Sequence, residues 1–486
     1  VVNFHPSGGA ERWGVHNNSA INLERALVER VLTVKGEDGN QVHPPQPQHG
    51  EVKRRLKNFT RKFLHYTDKI DVLTTKEFVA TYTGRKAKMY QAAAESLECM
   101  PLNRKDATIS AFIKDEKTNL TRKDDPAPRI IQPRSPRFNV AIGCHLKPME
   151  KSIFRGIARV FRSTTVMKGL NASERGKEAH RKWNRFKDPV AICLDAARFD
   201  QHVNRDCIDW EHSIQERLTS NPSELRRLNQ MRKINRCYAR THDGAFKYRL
   251  CGTRMSGDMD TASANCMLMC AMTWSFMQWL GVSIFEYMND GDDGVLFVER
   301  CDSASVVTQF KSYFLTLGFT MKLEGVHDVL EQVEFCQAKP IFDGISYRFV
   351  RDPEICFGKD SLSLRGVVDE RSLIGLRNSV GWCGLSLAGD MPLFCEYYRS
   401  MVTSIDDKPP SLEEFTSGMQ FLARGLVPKY SRPCAEARES FERAYGLSPD
   451  HQIAIEHELR STDATIYHPA VQMKFISSNL QHLLLK

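Results

Sequence analysis

The stretch that most constrains this chain is VSIFEYMNDGDDGVLFVE at residues 282–299, two apolar runs around the acidic turn NDGDDG. Ile284, Phe285, Tyr287, Val295, Phe297 and Val298 favour strands, whereas Asn, Asp and Gly tolerate the positive φ of a tight turn, so a β-hairpin is expected. Side chains alternate along a strand, which sends the tip residues Asp292 and Asp293 in different directions. One acid can then bind a metal ion fully and the other less directly, which suits a site that handles a polyphosphate. Asp-Gly pairs also make ordinary hairpin turns, so the rest of the chain has to choose between a turn and a site.

At 486 residues the chain exceeds what one core can fill, and two to four subdomains are expected. Lys plus Arg exceed Asp plus Glu by 68 to 59, a formal charge of +9 that favours an anionic partner, nucleic acid or lipid surface. The fourteen cysteines include no CxxC pair, which argues against structural zinc and a secreted disulfide framework and for reduced, cytosolic thiols. Cys266 and Cys270, one helical turn apart, are expected to be buried small residues. The chain starts at Val1 without a charged start and apolar core, so no signal peptide is expected and the chain is read as a fragment of something longer. Residues 261–285 carry no charge over a length that can span a bilayer. Ser263, Asn265, Thr273, Ser275 and Gln278 interrupt the run, so a buried helix entering a strand is expected, with no membrane span.

In chain order, residues 19–34 predict an amphipathic helix and residues 36–50, GEDGNQVHPPQPQHG, an exposed linker that makes the N-terminal arm separable. Residues 51–62 hold Lys53, Arg54, Arg55, Lys57, Arg61 and Lys62, a solvated helix face or an RNA-backbone contact. A second basic group, Arg85, Lys86 and Lys88, opens another helix-like run. In residues 112–134 two short apolar strands flank a basic loop that presents Lys114, Lys117, Arg122, Lys123 and Arg129. Such cations can reach a triphosphate; a charged surface hairpin explains them equally well.

KDPVAICLDAARFD at 187–200 is an apolar strand closing on Asp195, with Asp200 five residues on. An acid at the end of a buried strand is costly unless paired or metal-bound. Residues 206–246 look helical and basic, and His202 and His212 are expected on the surface or in packing. The loop CGTRMSG at 251–257 precedes a long uncharged helix, and Ser256, Gly257, Thr261 and Asn265 follow an SGxxxTxxxN spacing that places Thr261 and Asn265 on one face. A hydroxyl and an amide so placed can read a sugar; an N-capped core helix is the plainer alternative.

Taken together, Asp195 and Asp292 can hold two divalent cations for phosphoryl transfer, Mg²⁺ being the natural ion for carboxylates plus substrate phosphates. Asp200 and Asn265 can hydrogen-bond a ribose 2′-hydroxyl. The set resembles the palm motifs of viral RNA-dependent RNA polymerases: DxxxxD is similar to motif A, SGxxxTxxxN to motif B, GDD to motif C, and the basic hairpin around Lys114 and Arg129 to motif F. YTGRKAKMYQAAAESL, IIQPRSPRFNV and EFCQAKP resemble polymerases of plant viruses in the tombusvirus family, and the motif resemblance covers about residues 82–340.

The resemblance implies an α+β right hand: an N-terminal arm and linker (1–50), fingers (51–188), palm with motif A (189–205), a fingers insertion (206–250), palm motifs B to E around an antiparallel sheet with the GDD hairpin (251–345), and a mostly helical thumb (346–486). It implies metal binding by Asp195, Asp292 and Asp293, with Asp292 the ligand and Asp293 the auxiliary, and leaves Asp290 only a turn to make. Two Mg²⁺ ions would be held, Mn²⁺ being a substitute. Asp200, Ser256, Gly257, Thr261 and Asn265 would judge the ribose and position the nucleotide, and Lys114 and Arg129 would bind its triphosphate. Lys322 stands where the fold often offers a proton donor to pyrophosphate, and residues 335–337 resemble motif E.

The implied partners are single-stranded RNA template and product, NTPs, a viral auxiliary replication protein and host factors. The implied place is the host cytoplasm, at membrane-bound replication complexes reached through a region or partner outside this chain, which would be the readthrough portion of a replicase copying a positive-strand genome. A reverse transcriptase shares the acids but usually sets a bulky side chain at the 2′-hydroxyl, unlike Asp200 with Asn265. A non-catalytic RNA-binding replication factor would explain the basic clusters alone. Trp382, Phe394, Tyr397 and Tyr398 either pack in a core or stack on RNA.

Overall fold

The computed structural model describes residues 2–6, 12–36, 38–364, 369–403, 418–461, 470–471 and 483–484. Its centre is a four-stranded antiparallel sheet in the order Glu286–Asp290, Asp293–Glu299, Pro189–Ala196, Met321–His327. The turn is tighter than the acidic run suggests. Asn289 pairs with Gly294 and Asp290 with Asp293, leaving only Gly291 and Asp292 unpaired. Gly291 has φ +91°, as a two-residue hairpin turn with Gly at its first central position requires. Gly294 is needed for a different reason: a Cβ there would lie 2.3 Å from the Tyr287 hydroxyl.

The strand Pro189–Ala196 is continuously apolar because both of its faces are covered. Val190, Ile192 and Leu194 enter the largest core, while Ala191 and Cys193 enter a smaller one on the other side. In the largest core lies the helix Thr261–Leu280, buried without interruption from Ser263 to Met277 and packed on Glu51–His65, Pro136–Phe161 and Arg300–Leu315. A helix apolar all round belongs inside a protein or a membrane. Its neighbours decide for the protein interior, and it stops at Gly281, φ +81°, a left-handed cap. Among the described residues no helix is long and apolar enough to cross a membrane. The helix Glu51–His65 buries Val52, Leu56, Phe59 and Phe63 and leaves Lys53, Arg54, Lys57, Arg61 and Lys62 in solvent.

A second sheet runs Ala245–Cys251, Ile234–Arg240, Ile109–Ile113, Ile130–Ile131. It corrects the helical expectation for residues 206–246, which holds only for Arg205–Leu218 and Pro222–Lys233. From residue 234 onward Asn235, Cys237 and Ala239 are buried and alternate with exposed Arg236, Tyr238 and Arg240 before an Asp243-Gly244 turn. That period of two, followed by Asp-Gly, is a hairpin pattern that the high density of basic residues obscured.

The N-terminal arm is not separable. The helix Ala20–Leu27, capped by Ser19, lays Leu23, Ala26 and Leu27 on Ile109, Ala111 and Ile113 of the second sheet. Val2–Asn3 pairs with Leu362–Ser363, and Trp13–His16 pairs through Trp13 and Gly14 with Thr118–Asn119, so the first residues tie two distant parts of the chain together. In the linker, Gln41–Val42 pairs with Val34–Lys35. The C-terminal part is mostly helical, with Pro353–Asp360, Glu370–Ala388, Phe394–Arg399, Ala435–Tyr445 and Pro449–Ser461. Its own core contains Trp382, Phe394, Tyr397 and Tyr398, which pack rather than face solvent. Within the part expected to be mostly helical, residues 404–417 lie outside the described residues, and Gly418–Leu422 is helical.

Candidate active site

Strand register brings the acids together. Asp195 stands opposite Asp293 on one side and opposite Lys322 on the other, so the three side chains form a row across the sheet. Lys322 Nζ lies 3.9 Å from Asp195 Oδ2. Asp292 projects from the exposed turn, and its charge contributes to the upward shift of Asp195, Asp200, Asp293 and Glu324. Burial is the larger cause in each case. Asp293 is pushed up to about 7 by burial, then by Asp292 and Asp195, against a hydrogen bond from Cys336. The turn itself is braced by Asn289, whose Nδ2 donates to the carbonyls of Gly291 at 2.9 Å and Asp293 at 3.0 Å.

Asp195 and Asp293 border a cavity of about 380 Å³ with Glu324, Glu334 and the turn at Cys336 and Gln337. That turn, at residues 335–337, has φ +53° at Cys336 and +60° at Gln337, a conformation non-glycine residues rarely adopt and one concentrated at functional sites. Glu324 was not found from the sequence. It is the extra residue of a β-bulge, where register steps from Leu323 to Gly325 against Leu194 and Cys193. The Glu-Gly pair that interrupts the alternating strand MKLEGVH was its signal in the sequence.

A second group lies beside the acids. Asn265 Nδ2 donates to Asp200 Oδ1 at 2.7 Å, and Asn265 Oδ1 accepts from Arg254 Nε at 3.0 Å. Arg254 is in turn paired with the fully buried Glu211, and its backbone N–H donates to the Asp200 carbonyl at 2.9 Å. Because a guanidinium can only donate, the Asn265 amide is fixed with its oxygen toward Arg254 and its NH₂ toward Asp200. Burial raises Asp200, and the hydrogen bond from Asn265 and the charge of Arg254 oppose it. Arg254 and Glu211 are missing from the sequence expectations, since they lie 43 residues apart on elements that meet only in the fold.

Ser256 and Gly257 hold the loop rather than open toward the acids. Ser256 Oγ donates to the Ile130 carbonyl at 3.1 Å and accepts from Gln132 N–H at 3.3 Å, and Gly257 bridges Pro133, where a Cβ would lie 2.6 Å from its backbone. Thr261 Oγ1 donates to the carbonyls of Met255 at 2.9 Å and Asp258 at 3.0 Å, closing the loop onto the helix start. Asp258 and Asp260 are bound by Arg134 and Arg232, so this loop rests on a buried ionic frame.

Lys114 and Arg129 meet across the strand ends: the Lys114 N–H donates to the Arg129 carbonyl at 2.8 Å, and both side chains reach Glu116, at 2.7 Å and 3.3 Å. Arg129 is near enough to Asp200, and Lys123 to Asp195, to lower those carboxyls. Glu116 therefore holds the two cations together in front of the acids. Asp290 corrects an expectation, since it does more than make a turn. Burial pushes it up, but Lys168 and Arg175, the latter at 2.6 Å, outweigh burial and hold it below the usual range. It anchors the hairpin and contributes no free negative charge to the row. His202 and His212 are buried in packing positions.

Among the described residues no three Asp, Glu, His or Cys side chains already converge as a closed metal-holding group. The donor chemistry nevertheless suits a hard divalent cation: hard carboxylate oxygens from Asp195, Asp293 and Asp292, the first two raised by burial and then by their neighbours' charge, with one lysine at 3.9 Å from Asp195.

Comparison with known proteins agrees in kind. The family described as "Viral RNA dependent RNA polymerase" matches residues 2–466. The chain is 39% identical over 460 residues to the RNA-directed RNA polymerase of Maize chlorotic mottle virus, covering 94% of this chain and 48% of that protein. It is 39% identical over 458 residues to that of Tobacco necrosis virus strain A, covering 94% and 63%, and 36% identical over 455 residues to that of Turnip crinkle virus, covering 92% and 58%. The chain thus spans about half to two thirds of the length of the relatives it matches.

Proposed function

The chain belongs to the viral RNA-dependent RNA polymerase family, and on that premise we propose that it performs template-directed RNA synthesis from NTPs, as the polymerizing part of a replicase that copies a positive-strand RNA genome. The observation that carries the proposal is the convergence at one end of the two central strands of the Asp195–Asp293 row, with Asp292 at the adjacent tip, and the Asp200–Asn265 hydrogen bond beside it. Residues 189–205 and 251–345 would form the palm, 51–188 and 206–250 the fingers, and 346–486 the thumb.

Asp195, Asp292 and Asp293 would hold two Mg²⁺ ions, or Mn²⁺ in their place. When bound, such ions activate the attacking 3′-hydroxyl and neutralise charge on the phosphates. Lys114 and Arg129, gathered by Glu116, face the triphosphate. Asp200, held by Asn265, accepts a hydrogen bond from the ribose 2′-hydroxyl, a group a deoxynucleotide lacks. The 3′-oxygen of the growing chain, its proton passing to solvent, bonds to the α-phosphorus as the bond to pyrophosphate breaks, and Lys322, which lies in the row, gives a proton to the leaving pyrophosphate. Ser256, Gly257 and Thr261 act through the loop, keeping Asn265 and Arg254 in register with Asp200.

The test is primer-free extension of a defined RNA by the purified chain with Mg²⁺. Synthesis from NTPs that Asp292→Ala abolishes is expected. Synthesis from dNTPs in preference would turn the assignment to reverse transcription. No synthesis from either, with RNA binding intact, would sink the enzymatic reading.

A further inference from the structure

The second sheet has two unlike faces. Its inner face, Ile109, Ala111, Ile113, Cys237, Ala239 and Leu250, is covered by the helix Ala20–Leu27. Among the described residues no element covers its outer face. There Arg236 stands opposite Arg249, Tyr238 opposite both Lys247 and Ser110, and Phe112 follows Ser110 on the same side. Tyr238 is 36% exposed and Phe112 43%. At one edge of this face is a cavity of about 350 Å³ lined by Arg104, Lys105, Arg236 and Arg249, with no acidic residue in its wall.

Two features are costly unless something binds here. Like charges directly opposite on neighbouring strands, with Cβ atoms about 5 Å apart, destabilise a sheet. Among the described residues none of Arg104, Lys105, Arg236, Lys247 and Arg249 has an ion-pair partner, although nearby Arg226, Arg227 and Lys233 are each paired with an acid. Large aromatic rings left in solvent between such cations are the second feature. An open sheet bearing exposed aromatics among arginines and lysines suits unpaired bases joined by phosphodiesters: rings stack on any base, and guanidinium forks grip phosphate. A duplex hides the base faces that the rings would need, and an acidic peptide has no use for stacking.

We propose that this outer face, with the Arg104–Arg249 cavity, is a second platform for single-stranded RNA, apart from the acidic row, where Tyr238 and Phe112 stack on bases and Arg236, Arg249 and Lys247 hold phosphates. It rests on the reading that this chain works on RNA, and it concerns residues that, among the described residues, form no hydrogen bond or ion pair with Asp195, Asp200, Asp292 or Asp293.

The test uses the whole chain, an unstructured single-stranded RNA of about 30 nucleotides, longer than the roughly 4–16 nucleotides one such platform accommodates, and a blunt duplex of equal length. The variants are R236A/R249A and Tyr238→Ala, at exposed positions where a melting temperature no lower than that of wild type confirms folding. For R236A/R249A, affinity for the single strand should fall at least tenfold, and the slope of log affinity against log salt should become shallower by about 1.4, the amount for two lost phosphate contacts. Tyr238→Ala should weaken single-strand binding roughly fivefold or more and leave duplex binding unchanged. Extension at saturating concentration of a short template, about ten nucleotides, should be unaffected. Unchanged single-strand affinity and salt slope in both variants would overturn the platform. So would loss of extension on the short template, which would put these residues in the catalytic cleft. Failure of wild type to extend any template would instead sink the polymerase reading and leave the binding comparison readable.

Discussion

Asp195 and Asp293 face each other across neighbouring antiparallel strands, and Lys322 faces Asp195 from the strand beyond. Register alone builds this row. Two carboxylates held about 5 Å apart repel, and the strands tolerate the repulsion because Asp290 beside them is tied down by Lys168 and Arg175 and because Asn289 cross-braces the turn. The sheet thus stores a local excess of negative charge at a fixed position, which a bound cation would relieve.

Removing one acid of this cluster should remove most of the activity. Asp292→Ala is expected to lower the single-turnover extension rate by about 10³, because several kcal/mol of transition-state stabilisation depend on it. Rapid-quench measurement at saturating NTP checks this, with melting temperature as the control for folding.

Burial of Asp293, reinforced by the charge of Asp292, sets a pH dependence in metal-free protein. Asp293 titrates at about 7 in the folded chain and near the ordinary carboxyl value, 3.8, when unfolded, so between those limits the folded state binds the extra proton. Stability therefore falls as pH rises from about 4 to about 7, and this group adds nothing further above that. Denaturant midpoints across the window should show the decline, and Asp293→Asn should flatten it. At pH 8, Mg²⁺ should raise the midpoint of the wild type more than that of the variant.

Discrimination between ribo- and deoxynucleotides should depend on the chain from Glu211 through Arg254 and Asn265 to Asp200. Asn265→Ala frees Asp200 from its donor, and the ratio of kcat/KM for ATP over dATP is expected to drop roughly 10- to 100-fold. Arg254→Lys keeps the charge against Glu211 but loses the planar fork, and should shift the ratio in the same direction by less.

Gly257→Ala puts a methyl group 2.6 Å from Pro133, while Gly375→Ala adds one where nothing lies within 4 Å. The first should destabilise the fold by about 1–3 kcal/mol and weaken nucleotide binding as the loop shifts. The second should be neutral or mildly stabilising. Urea midpoints and KM for the NTP separate the two.

Much of the site was legible because its residues come in short, local patterns. The Asp195 strand, the hairpin around Asp292 and the start of the Asn265 helix each announce themselves by an apolar run ending in a polar group. Glu324, Glu116, Arg254 and Glu211 were not legible, since each matters only through a partner from another element. The basic hairpin at residues 234–251 was misread because its arginines masked an alternation that burial of Asn235, Cys237 and Ala239 makes plain. Asp290 was misjudged for the opposite reason: its two cations, Lys168 and Arg175, lie more than a hundred residues away.

The amino-acid order by itself determined the local chemistry: strands that end in acids, a turn that needs Gly291, and a helix too apolar to lie in water. These follow from period, φ preference and hydrophobicity, which act within a few residues. Only the tertiary structure decided that Asp293 rather than Asp292 stands opposite Asp195, that Arg254 orients Asn265, and that Arg236 meets Arg249 on an open sheet. Strand register and side-chain pairing between distant elements settle those points, because a shift of one residue turns a side chain to the other face of the sheet and local sequence does not fix which neighbour it meets.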